Sequence, residues 1–286
     1  MISDITLGQF FPGKSPIHRL DPRTKIILAT LFIVTVFVAQ NPISFLFLTI
    51  VTVILIGVSK ISFKTVLKSI KPIVFILLFT AILNIFMTKG SGDPIISFWR
   101  ITVYAEGIAR AIMMAFRVII LIVGSSILLT YTTSPIALTD GLEALLSPLK
   151  KINLPVHTFA MMMSIALRFI PTLVEETDKI MNAQKSRGAD FTSGSLAKRA
   201  KALIPLLVPL FVSSFKRAEE LAVAMECRCY RGDRNRTKLV KLEYKGLDFV
   251  FIALFTVLLE MLICLNTLPY NYESLGLIYD VIFFRV

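Results

Sequence analysis

Apolar residues in this chain gather into long runs instead of alternating with polar ones. Ile26–Ala39 and Ile43–Val58 are uncharged and flank Gln40, Asn41 and Pro42, which predicts a helical hairpin with a tight turn. Each is a little short of the ~20 residues that cross hydrocarbon as a helix. Lys60, Lys64, Lys68 and Lys71 come next, spaced for one face of a short interfacial helix that also carries Ile61, Val66 and Ile70. Pro72–Met87 is the third run. Lys89–Glu106 reads as an outer loop with a turn at Ser91 to Pro94, and Ile108–Tyr131 is the fourth run, with Arg110 near its outer end and Arg117 deeper. Leu247–Leu268 is the last strong run. Leu275–Phe284 is apolar but too short to cross.

Between the fourth and last runs lies Thr132–Lys245, long, basic and of helical pattern. It holds Lys150, Lys151, Lys198, Arg199, Lys201, Lys216, Arg217, Arg231, Arg234 and Arg236, which places it inside the cell by the excess of Lys and Arg on cytoplasmic segments. Two apolar stretches within it, Val156–Ile170 and Leu203–Phe215, are shorter than a span, and Pro205 and Pro209 interrupt the second. Both read as helices at the membrane surface or in a helical cytoplasmic layer; a competing reading has seven spans. Pro171 is expected to kink or restart the first of these helices, with Arg168 supporting the kink or meeting lipid phosphate. The expected fold is all-α and polytopic. It has about five transmembrane helices and a cytoplasmic layer: residues 1–131 form the leader and four spans, 132–246 the cytoplasmic helices, and 247–286 the last span and tail.

Composition agrees. The chain is 55% hydrophobic and 17% charged, against about 45–50% and about 25% for soluble domains. Mean hydropathy is +0.75. A net charge of +12 would suggest nucleic acid in a soluble protein, but the positive-inside rule accounts for it here, with the N-terminus cytoplasmic. The first apolar run begins only at Ile26, so no signal peptide is expected.

One motif misleads. Gly8 to Ser15 fits G-x-x-x-x-G-K-[ST] letter for letter, the pattern of a phosphate-binding loop. That loop needs a buried strand before it and a helix after it. Here seven residues precede Gly8 and Pro16 comes directly after Ser15, so the segment reads as a polar, basic leader that binds no nucleotide. Cys227, Cys229 and Cys264 are too few for a disulfide framework, and Cys227-x-Cys229 lacks nearby ligands for a metal. They read as reduced thiols. No residue stands out as a catalytic acid, base or nucleophile.

The most informative positions are two similar helix endings. One reads Ala183-Gln184-Lys185-Ser186-Arg187-Gly188, the other Ala224-Met225-Glu226-Cys227-Arg228-Cys229, with Gly232 just beyond. Gly is the usual helix terminator because it accepts the left-handed conformation. Two helices are therefore expected to present a guanidinium at their C-terminal tips, where it suits the helix dipole and can fork onto a carboxylate or carbonyls. With no Gly at 229, the second helix is expected to run on toward Gly232. Glu219, Glu220 and Glu226 are expected to pair with Lys216, Arg217 and Arg228 along that helix.

These endings, together with Gly8-x-Phe10-x-Pro12-Gly13-x-Ser15-x-x-His18-x-Leu20-Asp21-Pro22-Arg23-x-Lys25, resemble the T component of energy-coupling factor (ECF) transporters. The resemblance covers the chain from the leader to about Gly232, and the X-Arg-X triplets are its most specific part. It implies a non-catalytic coupling subunit in a bacterial or archaeal cell membrane. Its partners would be two ATPase subunits, which bind the ATP, and a small membrane S component that captures a vitamin or metal ion. By similarity Arg187 and Arg228 contact the ATPases, flanked by Ser186, Gly188, Cys227 and Cys229. The second triplet departs from the small residues usual in the family. The Met-rich run Met161, Met162 and Met163 offers an adaptable surface for the S component, or packs ordinarily among its neighbours. The rival class is an ion-coupled secondary transporter using the intramembrane charges Glu260 and Arg117, which alternatively form a structural pair.

Overall fold

The computed structural model describes residues 10–87, 96–98, 101–152, 155–191, 195–232 and 242–267. Gly8, the Ser91 to Pro94 turn and the Leu275–Phe284 tail lie outside them. The chain divides into two compact units, one of residues 10–134 with the segment from Leu242, the other of residues 135–241.

The first unit contains α1 (Pro22–Val38), α2 (Pro42–Ser59), α3 (Phe63–Ile70), α4 (Val74–Met87), α5 (Ala105–Ser125) and α9 (Gly246–Thr267). A short antiparallel ribbon, β1 (Ile96–Phe98) with β2 (Ile101–Val103), sits in the loop before α5; the apolar pattern gave no sign of it. Helix α1 begins where prolines and carboxylates favour it. Asp21 caps it by accepting from Arg23 N at 3.0 Å, and Pro22 takes the first helical position, where a missing amide donor is harmless.

The leader is not a solvated tail. Ser15, Ile17, Leu20, Asp21, Thr24 and Lys25 are all buried. Ser15 Oγ lies 2.6 Å from His18 Nδ1, and His18 Nε2 lies 2.9 Å from Phe11 O. Just past Ser15 the chain makes a three-residue 3-10 turn, Ile17–Arg19, not a helix that could face a phosphate. Phe11 N donates to Tyr131 O at 3.0 Å and Lys25 Nζ to Thr132 O at 2.8 Å. The leader thus satisfies carbonyls that the end of the fourth run would otherwise leave open.

The order of the spans is set by ties at both ends of α1 and α9. At one end, Asp21 N donates to Asp248 Oδ1 at 2.9 Å. At the other, Asn266 Nδ2 donates to Val38 O at 2.7 Å, and Asn266 Oδ1 accepts from Ser44 Oγ at 3.0 Å. Helices α1 and α9 therefore run parallel and in register. The chain leaves this unit beside Lys25 and returns beside Asp21, at one and the same end.

Five helices among the described residues are long and apolar enough to cross: Pro42–Ser59, Phe63–Met87, Gly107–Tyr131, Val156–Ser186 and Gly246–Asn266. Three sequence-read spans match directly. The third gains the lysine-bearing helix α3, which leads through a 3-10 turn at Lys71–Ile73 into α4. α1, with 17 residues, falls just short in length, and Val156–Ser186 appears where a surface helix was expected.

Small residues set the close contacts. A Cβ on Gly124 of α5 would lie 2.1 Å from the Phe32 ring of α1, and that ring also meets Phe255 of α9 edge-on at 6.4 Å. A Cβ on Gly107 would lie 3.2 Å from Ile85 O of α4. Close backbone approach of this kind is how membrane helices gain dispersion contact without a hydrophobic driving force. Beyond Ser125 the helix widens into a π-helix, Ser126–Tyr131.

The second unit contains α6 (Pro135–Leu146), α7 (Val156–Ser186) and α8 (Leu196–Cys227). His157 Nδ1 lies 2.9 Å from Glu143 Oε1, joining α7 to α6. α7 continues through Pro171 without a restart, and α8 continues through Pro205 and Pro209. Each proline removes one amide donor at about 3 kcal/mol. That loss is local, and helices this long retain many intact turns on either side.

Candidate functional site

Both arginine-bearing tips end in the same way, residue for residue. In α7, Gly188 N donates to Lys185 O at 2.9 Å and Ala189 N to Gln184 O at 3.0 Å. In α8, Cys229 N donates to Glu226 O at 2.8 Å and Tyr230 N to Met225 O at 3.0 Å. This pair of bonds is the Schellman ending, which requires a left-handed residue after the cap. Gly188 supplies it with φ +87° and Cys229 with φ +55°. The expectation that α8 runs on toward Gly232 is therefore wrong: it stops at Cys227, because Cys229 accepts the left-handed conformation that Gly would adopt freely.

Arg187 and Arg228 thus occupy equivalent capping positions, and both are exposed, as are Ser186, Gly188, Cys227 and Cys229. Among the described residues neither guanidinium has an ion-pair partner. Each stands at a helix C-terminus, where the dipole favours a cation, and is open to an external acceptor. The tips differ in charge. Lys185 precedes Arg187 where Glu226 precedes Arg228, so one tip is doubly basic and the other is balanced.

Well behind the tips, Glu176 of α7 meets Ser213 and Arg217 of α8. Arg217 Nη2 donates to Glu176 Oε2 at 2.6 Å, and Ser213 Oγ donates to Glu176 Oε1. Arg217 reaches across to α7 instead of pairing along its own helix with the glutamates at 219 and 220, which corrects that expectation. The sequence could have suggested the contact, since Ser213 and Arg217 are four residues apart and share a face. Nothing in it singled out Glu176 among its neighbours.

Other expected positions resolve differently. Met162 and Met163 are 54% and 40% exposed on α7, while Met161 is half-buried. Arg117 and Glu260 do not pair. Arg117 Nη2 donates to Ala39 O at 2.6 Å, its guanidinium lies 5.2 Å from the Phe45 ring centre, and Glu260 is exposed on α9. Among the described residues no cluster of His, Cys, Asp or Glu could hold a metal ion.

The sequence matches the model of the CbiQ cobalt transport protein family over residues 13–239, a stretch that holds both tips. It is 54% identical over 250 residues to the energy-coupling factor transporter transmembrane protein EcfT of Clostridium kluyveri, covering 87% of this chain and 92% of that protein. The Bacillus subtilis protein of the same name is 50% identical over 266 residues, covering 93% of this chain and all of its own length. The chain belongs to the T components of ECF transporters. This T component is a multi-pass membrane subunit of a transporter. That assignment removes the secondary-transporter reading, and the separation of Arg117 from Glu260 removes the structural pair that was its alternative. The leader of this T component, read from sequence as a polar, basic stretch, buries Ser15, Ile17, Leu20 and Asp21 in its membrane unit while residues 10–14 stay exposed.

Proposed function

We propose that the chain is the non-catalytic coupling subunit of an ECF-type importer. Arg187 and Arg228 dock in grooves of two ATPase subunits and pass their ATP-driven motion to a small substrate-capturing S component for vitamin or metal-ion uptake. The matched Schellman endings carry this reading. Two helices packed side by side present the same fork in the same local frame, as two related grooves would require. Ser186, Gly188, Cys227 and Cys229 line the contacts. The opposite charges of Lys185 and Glu226 suit two grooves that are not identical.

ATP then belongs to the partner subunits, and this chain needs no cofactor. The exposed Met162 and Met163, with half-buried Met161, form part of the S-component face, because flexible thioethers adapt to different partners. The end of the membrane unit that carries Arg19, Arg23 and Lys60 faces the cytoplasm, as the positive-inside rule requires, and with it the N-terminus.

The test is purification of the full chain, co-expressed with its neighbouring ATPase subunits, in mild detergent. Arg187→Ala and Arg228→Ala singly are expected to weaken ATPase retention, and the double variant to abolish it while any S component stays bound. Undiminished ATPase recovery with the double variant would refute the docking role.

A further inference from the structure

The contact between Glu176 and Arg217 is placed symmetrically with respect to the two tips. Eleven residues separate Glu176 from Arg187, and eleven separate Arg217 from Arg228. Eleven helical residues rise ~16 Å and turn ~20° past three full turns. Each tip arginine therefore stands at the end of an arm of equal length, on nearly the same helix face as its own member of the contact.

The contact is built to hold. Both carboxylate oxygens of Glu176 are engaged, one by Ser213 and one by Arg217, and these donors are one helical turn apart on α8. One acidic group gripped by two donors fixes rotation as well as distance, which a single ion pair between flexible side chains does not. The side chains are half-shielded, with 21% of Glu176 and 34% of Arg217 accessible. Arg217 also passes over Glu220, a nearer partner on its own helix, in favour of the crossing.

We infer that Glu176, gripped by Ser213 and Arg217, is a positioning residue that fixes the spacing and relative rotation of the two arginine tips, so that they move as one body. The inference rests on the docking role proposed above for its use in coupling. Without the grip, each tip still docks, but motion of one groove is no longer imposed on the other.

The experiment uses the full chain in nanodiscs, with Cys227, Cys229 and Cys264 replaced by Ser. Spin labels at Asn182→Cys and Val223→Cys, both exposed and each six residues beyond the contact, report the distance between the arms. The parent is expected to give one narrow distribution. Glu176→Ala and Arg217→Ala should at least double its width, and the exchanged pair Glu176→Arg with Arg217→Glu should narrow it again. Ser213→Ala, which removes one donor and little volume, should give an intermediate width and serves if Glu176→Ala fails to fold. Widths in Ser213→Ala and Arg217→Ala equal to the parent's would overturn the inference. In parallel, Glu176→Ala is expected to retain the ATPase subunits. Retention by the Arg187→Ala and Arg228→Ala double variant would instead defeat the docking reading, and with it the coupling role, whatever the label widths.

Discussion

Gly188 and Cys229 occupy the same place in two equivalent helix endings, one with no side chain and one with a thiol. A non-glycine residue in the left-handed region is strained by about 1–2 kcal/mol. Nothing lies within 4 Å of a Cβ placed on Gly188, so backbone conformation alone decides that position. Cys229→Gly should therefore strengthen the α8 ending and Gly188→Val weaken the α7 ending. Hydrogen exchange would read this at the last turns. The Tyr230 amide should be protected about fivefold more in the first variant, and the Ala189 amide correspondingly less in the second, for a change of ~1 kcal/mol.

Gly124 and Phe32 make the tightest approach between α5 and α1. Gly124→Leu should destabilise the chain by about 1–3 kcal/mol through overpacking, seen as a lower midpoint in thermal unfolding in detergent. Phe32→Ala alone should also destabilise, by emptying the site against Phe255. The double variant should be less unstable than the sum of the two, because the leucine fills the space the ring leaves. Strict additivity would mean the two residues do not share a contact.

Asp248 is fully buried and accepts from two backbone amides, Asp21 N at 2.9 Å and Lys245 N at 2.7 Å. Asp248→Ala strands both donors, at about 1–3 kcal/mol each. Asp248→Asn keeps one acceptor and should lose less. Size-exclusion profiles after graded heating should rank the proteins parent, Asn, then Ala.

Arg117 and Glu260 should behave as unrelated residues. Arg117→Ala leaves the Ala39 carbonyl without its donor and should lower thermal stability, whereas Glu260→Gln should leave both stability and subunit recovery unchanged. A shared loss, cancelled in the double variant, would show that they interact.

The spans were legible because uncharged runs of this length have few other uses, and the tips because an arginine closing a helical pattern, with Gly188 beside Arg187 and Gly232 just past Arg228, is a local signal. The hidden features were non-local. The Cys229 turn differs from Gly188 only in which residue tolerates a positive φ, and three prolines looked like breaks because their neighbours' intact turns do not show in a one-dimensional pattern. The leader looked polar because Asp21 and Lys25 are charged. Their burial depends on Asp248 and Thr132, more than a hundred positions away. Parallel α1 and α9 likewise rest on single polar atoms at distant ends.

The π-helix at Ser126–Tyr131 also limits how the gene can change length. A single-residue deletion there would let the span relax to ordinary α geometry, since a π turn carries one residue more per turn. A residue lost from the α-helical turns before Ser126 has no such slack and would rotate everything after it by ~100°. The carbonyls of Tyr131 and Thr132 would swing away from Phe11 N and Lys25 Nζ. Lineages of this protein should therefore tolerate the loss of one residue within Ser126–Tyr131 but keep an unaltered count through the α5 turns before it.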